Sequence, residues 1–407
     1  MFQRFRQLGA WWIVTTGMLS QSVVGFSPPQ SYEGGQIVPD GRLWPVLNQH
    51  APGVSIEGTL TFDASVNLHG GVNTNGSAFR HLLDISIILD TEAVFGLEGG
   101  TVGILFQNHN GPDASAQDTG DLQVFSNIDA DGRTQLAELW YEQVFPDEQF
   151  RVVFGKIDAN ALFAFVEHGA EFIHSSPGFS PTILGFPSYP DPAMSVNVFF
   201  EPSDANYIGA GLFDGALNEG ILTGSRGPGT FFHDPGDLFI IGETGARWTT
   251  TDGLDGRLGV GVWHHNGTFA RFDGGSEDGT TGYYAVFDQA LWRKDEQRGV
   301  NLFAQYGYAD ERISEFVHHI GMGLTVSGLI PSRGDDLLGL MTSYAHLSDK
   351  AGAGFTEDYE LAFELFYRVQ INGSFSLKPD LQYITHPGGD ASLNDAIVAT
   401  LRGELTF

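Results

Sequence analysis

The chain contains no cysteine, which removes disulfides and thiolate metal sites from consideration. Basic residues are scarce, with 20 Lys and Arg against 50 Asp and Glu and a net charge of −30. Nucleic-acid binding needs a basic footprint, so no nucleic-acid partner is expected. Charged residues of both signs make up only 17%. Beyond the amino terminus, no apolar run reaches the roughly 18 residues that a membrane-spanning helix requires. No G-x-S-x-G, Walker-type or H-E-x-x-H pattern occurs, so no catalytic residue, metal or cofactor is assigned. His264-His265 and His318-His319 fall in extended segments. Adjacent residues there face opposite sides and do not readily ligate one metal.

What the chain has in quantity is glycine, at 54 residues, and aromatics, at 13%. With so few charges, that composition suits a β-rich protein whose outer face is not water. The stretch from 396 to 407 reads A-I-V-A-T-L-R-G-E-L-T-F. Ile397, Ala399, Leu401, Leu405 and Phe407 fall on one face of an extended chain, and Thr400, Arg402, Glu404 and Thr406 on the other. Period-two alternation up to an aromatic last residue suits the strand that closes a membrane barrel. Segment 54–69 alternates in the same way, with Val54, Ile56, Leu60, Phe62, Ala64, Val66 and Leu68 on the apolar face.

Further strands are expected at 80–95, 101–108, 135–145, 150–157, 194–201, 207–213 and 238–249. The remainder are expected at 257–265, 282–292, 300–308, 318–329, 337–346, 359–371 and 374–383. With the two segments above, the tally is about sixteen, an even number as single-chain bacterial barrels require. Short connections (97–100, 146–149, 202–206, 250–256, 293–299, 331–336 and the Asn372-Gly373 turn) alternate with long ones (109–134, 158–193, 214–237, 266–281). Such alternation predicts an all-β transmembrane antiparallel barrel with short periplasmic turns and long extracellular loops. A soluble β-sandwich would not need it.

The amino terminus has a basic start at Arg4 and Arg6, an apolar segment over 8–19 and small residues near 22–26. This predicts a signal peptide over 1–25, the rival being a buried amphipathic helix. Residues 26–53, rich in proline, read as a periplasmic lead-in, and 54–407 as the barrel domain.

By alternation, the wet interior is lined by Asp84, Asp90 and Glu92; Glu138 and Glu142; Arg151; Glu243 and Arg247; Asp288; Glu360, Glu364 and Arg368; Lys378 and Asp380; and Arg402 and Glu404. A wall of mixed charges can exchange hydrogen bonds with a passing polar solute. Taken singly, each reads better as a solvated wall residue paired across strands. The longest connection carries Lys156 and Asp158 at its entry, then Phe163, Phe165, Val166, Glu167, Phe172 and Ile173. It is too apolar to stay in water and is expected to fold inward and narrow the pore. Its aromatics would stack on sugar C–H faces, with Glu167 and Lys156 as hydrogen-bonding partners, or simply anchor the loop. Asp113, Asp118, Asp121, Asp129 and Asp131 offer either divalent-cation uptake near lipopolysaccharide or plain solvated charge.

Three stretches, G-K-I-D-A-N-A-L-F at 155–163, L-K-P-D-L-Q-Y-I-T-H-P-G-G at 377–389 and the closing strand, resemble the carbohydrate-selective porin family, OprB type. The resemblance covers 54–407. It implies a sixteen-stranded bacterial outer-membrane barrel for passive diffusion of mono- or small oligosaccharides, with charged and aromatic side chains at its constriction. The matching candidates for that constriction are Arg151, Lys156, Asp158, Phe163, Glu167, Glu138, Glu142, Arg247, Arg368, Lys378 and Arg402. The family's constrictions are associated with basic groups, whereas this chain is acidic. A general cation-preferring porin is therefore the alternative, and an exported soluble β-rich lectin or hydrolase a more remote one. The expected partners are carbohydrate solutes, outer-membrane lipid and lipopolysaccharide, and the barrel-assembly machinery through Phe407. The oligomeric state is a monomer or a homotrimer.

Overall fold

The computed structural model describes residues 53–145, 149–226, 236–295 and 297–407. The expected signal peptide and nearly all of the lead-in lie outside the described residues. The strands are β1 (Val54–His69), β2 (Ser77–Asp90), β3 (Gly100–Asn110), β4 (Arg133–Val144), β5 (Phe150–Ile157), β6 (Ala193–Ser203), β7 (Asn206–Asp214) and β8 (Leu238–Thr249). They continue as β9 (Asp255–Ala270), β10 (Ser276–Arg293), β11 (Gly299–Tyr308), β12 (Phe316–Ser327), β13 (Leu337–Leu347), β14 (Tyr359–Asn372), β15 (Phe375–Thr385) and β16 (Ala396–Thr406). Each pairs with its sequence neighbour, and β1 pairs with β16, closing the barrel.

Closure follows from the alternation. Ala64 pairs with Leu401 and Asp63 with Arg402. Leu401 is 45% exposed and Arg402 is 2% exposed, so the two faces of β16 meet different surroundings. On β1 the same division buries Thr59, Thr61, Asp63, Ser65 and Asn67 and leaves Leu68 outside. Outward apolar side chains recur around the wall, among them Phe79, Phe106, Val196, Val262, Leu340 and Leu365, as a lipid-facing surface demands. Past the end of β16, Phe407 N–H donates to Gly58 O and Gly58 N–H to Phe407 O, both at 2.9 Å. A Cβ on Gly58 would lie 2.3 Å from the Phe407 ring, so glycine there makes room for that ring. No described helix is long and apolar enough to cross a membrane.

Most strand ends differ from the expected ones by a few residues, and three departures have a visible local cause. Strand β2 stops at Asp90, because the Asp90 side chain accepts Glu92 N–H and Ala93 N–H and caps a short helix, α1 (Thr91–Phe95), which Gly96 ends at φ 72°. Glu92 is therefore exposed on a turn and does not line the lumen. The expected long connection at 266–281 is instead an extension of the β9–β10 hairpin, with its turn at 271–275. Phe269 stays buried there, and Thr268 Oγ1 bonds Asp278 across the strands at 2.9 Å, so the ladder continues where a loop was expected. The tight turn between β14 and β15 uses residues 373–374, one position later than expected. Asn372 Oδ1 braces it by accepting Ser374 N–H and Phe375 N–H.

The interior is filled from one end. An aromatic core of Phe163, Phe172, Phe199, Phe213, Phe239, Trp263, Phe303 and Phe366 joins the loop at 158–192 to the wall. Burying each such ring is worth roughly 1.5–3 kcal/mol. A second cluster sets Phe125, from the loop at 111–132, against Ala362, Ile384 and Val398.

Candidate functional site

The path of residues 158–192 through the lumen is fixed by side chains of the wall. Asp158 Oδ1 accepts Asn160 N–H at 2.8 Å and Oδ2 accepts Tyr189 N–H at 3.0 Å, so one carboxylate joins both ends of the loop. Burial pushes that carboxyl above the usual range. Phe163 stacks on Phe199 at 5.3 Å, in space left by Gly209 and Gly211, where a Cβ would approach the Phe163 ring to 3.2 and 2.8 Å. Glu243 on β8 accepts Ala164 N–H at 2.8 Å, and Arg257 on β9 donates to Phe165 O at 2.8 Å. Further on, Lys378 Nζ donates to Glu171 O at 2.6 Å, and Gln305 donates to Ser176 O at 2.7 Å. His174 is buried within the loop, and burial pushes its imidazole down to about 3, so it carries no charge at neutral pH.

Between these attachments the loop crosses from β10 to β14 and β15. Phe165, Glu167, His168, Ala170 and Glu171 remain partly or fully exposed there, while residues 172–180 beyond them are buried. Charged wall residues with access to water lie toward the short-turn end. Arg151 pairs with Glu142 at 2.6 Å and Arg247 with Glu201 at 3.0 Å. Arg257 pairs with Glu243 at 2.9 Å, and Arg368 with the loop residue Glu171 at 2.7 Å. Arg151 lies over the Phe199 ring and Arg247 over the Tyr207 ring, at 4.2 and 4.7 Å. Guanidinium groups held flat by rings and carboxylates are stiff, directional donors. The arrangement offers hydrogen bonds to polyhydroxylated solutes and contains no assembled acid–base pair or nucleophile.

Of the expected site residues, Glu142, Arg151, Glu167, Arg247 and Arg368 reach this aqueous region. The others do not line it. Phe163 is 0% exposed and anchors the loop, so it presents no face to a sugar. Lys156 Nζ donates to Leu136 O at 2.8 Å and to Gly224 O, tying down the segment at 215–226. Glu138 accepts Trp140 Nε1–H at 3.0 Å and Asp158 N–H at 3.3 Å. Lys378 is buried over the Phe366 ring. Arg402 is buried beneath the loop at 111–132, paired with Asp63 at 2.8 Å and bonded to Asn127 at 2.7 Å. Lys156, Lys378 and Arg402 do point inward but are buried beneath the loops, while Glu138 and Asp158 keep partial exposure and spend their carboxylates on holding the loop entry.

The same loop accounts for the acidic run. Asp118, Asp121 and Asp129 are buried, not solvated. Asp129 pairs with Arg80 at 2.9 Å, and Asp118 accepts from Asn73 at 2.9 Å. The described residues hold no group of three or more His, Asp or Glu suited to a metal ion. The histidine doublets do split across the wall: His265 is buried against Gly215 O while His264 bonds Thr281 outside. Arg257, Glu171 and Glu201 escaped the sequence reading. Inward alternation along β9 (Arg257, Gly259, Gly261, Trp263) was the available signal for Arg257.

The model of the family "Carbohydrate-selective porin, OprB family" matches residues 74–407. Porin B of Pseudomonas aeruginosa is 22% identical over 400 residues, covering 85% of this chain and 86% of that protein. Among solved structures, Pseudomonas putida OprB at high pH superposes with a TM-score of 0.79 at 19% identity, covering 87% of this chain and 94% of that one. The low-pH form of the same protein gives a TM-score of 0.58 at 15% identity and covers 87% and 93%. With a closed barrel, an outer face fit for lipid and a family match over most of its length, the chain belongs to the carbohydrate-selective porins of the OprB family, channels of the bacterial outer membrane that pass carbohydrates.

Proposed function

We propose that the exposed segment 165–171 and the arginines Arg151, Arg247, Arg257 and Arg368 form the narrowest part of the channel. The observation that carries this reading is the contrast within one loop: Phe165, Glu167, His168, Ala170 and Glu171 in the segment crossing the lumen stay partly or fully exposed, with Val166 turned into the aromatic core, while residues 172–180 after it are all buried. Passage is passive, without catalysis or energy coupling. Arginine and carboxylate groups exchange hydrogen bonds with sugar hydroxyls as the solute sheds water. The water-reaching charges here are Arg151, Arg247, Arg257 and Arg368 against Glu142, Glu167, Glu171, Glu201 and, on β16, Glu404, a nearly even mixture despite the acidity of the chain. Swelling of proteoliposomes in glucose, compared with a non-sugar solute of equal size, tests the selectivity. Faster glucose entry is expected, and equal rates would remove it. The same preparation in a salt gradient gives a reversal potential near zero if the balance holds, and a clearly cation-selective one if the general porin is right.

Residues 1–25 act as the export signal, and Phe407, seated against Gly58, is the handle for barrel assembly. The long loops lie outside the cell and the short turns in the periplasm.

A further inference from the structure

Several wall carboxylates do not face solute at all. Glu364 on β14 accepts Ile173 N–H at 2.7 Å and His174 N–H at 2.9 Å. Asp288 on β10 accepts Glu167 N–H at 3.3 Å and His168 N–H at 3.1 Å. Glu360, also on β14, takes Leu122 N–H, Gln123 N–H and Gly388 N–H at 2.7–2.9 Å, outside the 158–192 loop. All three are buried. A loop inside a barrel has no ladder for its backbone N–H groups, which must find partners where water is scarce. Two consecutive N–H groups converging on one carboxylate form a forked, charge-assisted tie that fixes direction as well as position.

Asp288 and Glu364 hold the two ends of the segment that crosses the lumen, residues 167–168 and 173–174. We infer that Asp288 and Glu364 are positioning residues that stretch this segment across the lumen as a chord and thereby set the width of the passage beside it. They touch no solute, and they act through the backbone of the loop. The inference rests on the reading that segment 165–171 narrows the channel.

The test uses Asp288→Asn, Glu364→Gln and the two combined, in the full-length protein in planar bilayers. An amide keeps the size but replaces one acceptor oxygen with a donor, so it can serve only one of the two N–H groups. Losing such a charge-assisted bond raises the population of the detached loop about tenfold or more. The combined variant, shown folded by its β signal and heat-modifiable migration, is expected to conduct more, with more noise, and to admit larger polyethylene glycols. Glu360→Gln, whose ties lie elsewhere, is expected to leave that size limit unchanged. Native conductance and size limit in the folded combined variant would overturn the proposal, as would an equal widening in Glu360→Gln. Should the combined variant fail to fold, a spin label on Ala170→Cys in each single variant replaces it, made specific by the absence of other cysteines. Greater mobility of the label is expected, and unchanged mobility sinks the idea. Sizing with polyethylene glycol involves no sugar, so loss of glucose preference and loss of this mechanism are separate results.

Discussion

The two long inward loops, 111–132 and 158–192, enter the same barrel and are held in different ways. The first lies against β1, β2, β14 and β16 through buried side-chain ion pairs and acceptors: Arg80 with Asp129, Arg402 and Asp63 with Asn127 and Ser126, and Glu360 with two backbone N–H groups. The second is held by aromatic packing, by backbone ties and by the Arg368–Glu171 pair, and five residues of its crossing segment stay partly or fully exposed. Most of the side chains in the second half of the first loop are buried and spent on its attachments. A loop locked by its backbone keeps its side chains available to whatever passes. Residues that look alike in sequence, such as Arg402 and Arg151, thus play unlike parts, according to which loop lies above them.

Removing Arg402 should have the largest effect on this contrast. Arg402→Ala leaves Asp63 buried and without its guanidinium partner, a change that costs about 3–5 kcal/mol. The temperature at which the heat-modifiable barrel opens should fall sharply, while glucose flux per folded barrel stays near the native rate. A changed flux with no loss of stability would place Arg402 in the pore and erase the distinction between the two loops. Arg151→Ala should do the reverse. Its pair with Glu142 is partly exposed and is worth at most about 1 kcal/mol, so the barrel should open at nearly the native temperature. Reversal potentials should move toward cation preference, because Glu142 is left uncompensated beside the water path.

An effect that depends on pH concerns Asp121, buried in the loop at 111–132. Burial, with the Glu360 carboxylate nearby, raises its pKa to about 8 from the ordinary 3.8. The unfolded chain therefore gives up this proton first as pH rises, and stability declines from about pH 4 to about pH 8 and is level beyond. Asp121→Asn should flatten that slope, with little effect at pH 4 and a gain at pH 9, measured by unfolding temperature across the range. A slope identical to the native one would mean that Asp121 is ionised in the fold.

Much of the wall was legible from residue order. Strand β1 was expected at its observed bounds, β5 and β8 likewise, and the pairing of the first strand with the last came from the alternation of Ala396 to Phe407. The misses have local causes. An Asp90 cap ended β2 where apolar residues continued, and the β9–β10 hairpin kept its ladder through polar residues that resembled a loop. The site was less legible. Arg151, Arg247 and Arg368 were placed correctly on the inner face and reach water, whereas Lys156, Lys378 and Arg402 were placed on the same face and are covered.

Sequence alone determined which side chains face lipid and which face inward, because a strand's period of two is a property of neighbouring residues and needs no distant partner. Only the tertiary structure decided which inward groups meet water. That depends on loops arriving from 50 or more positions away, as when Asn127 reaches Arg402 or His174 reaches Glu364, and no local pattern at either end records the meeting. Covered carboxylates become ties and covered cations become anchors, and only a few charges beside the crossing segment are left in reach of water.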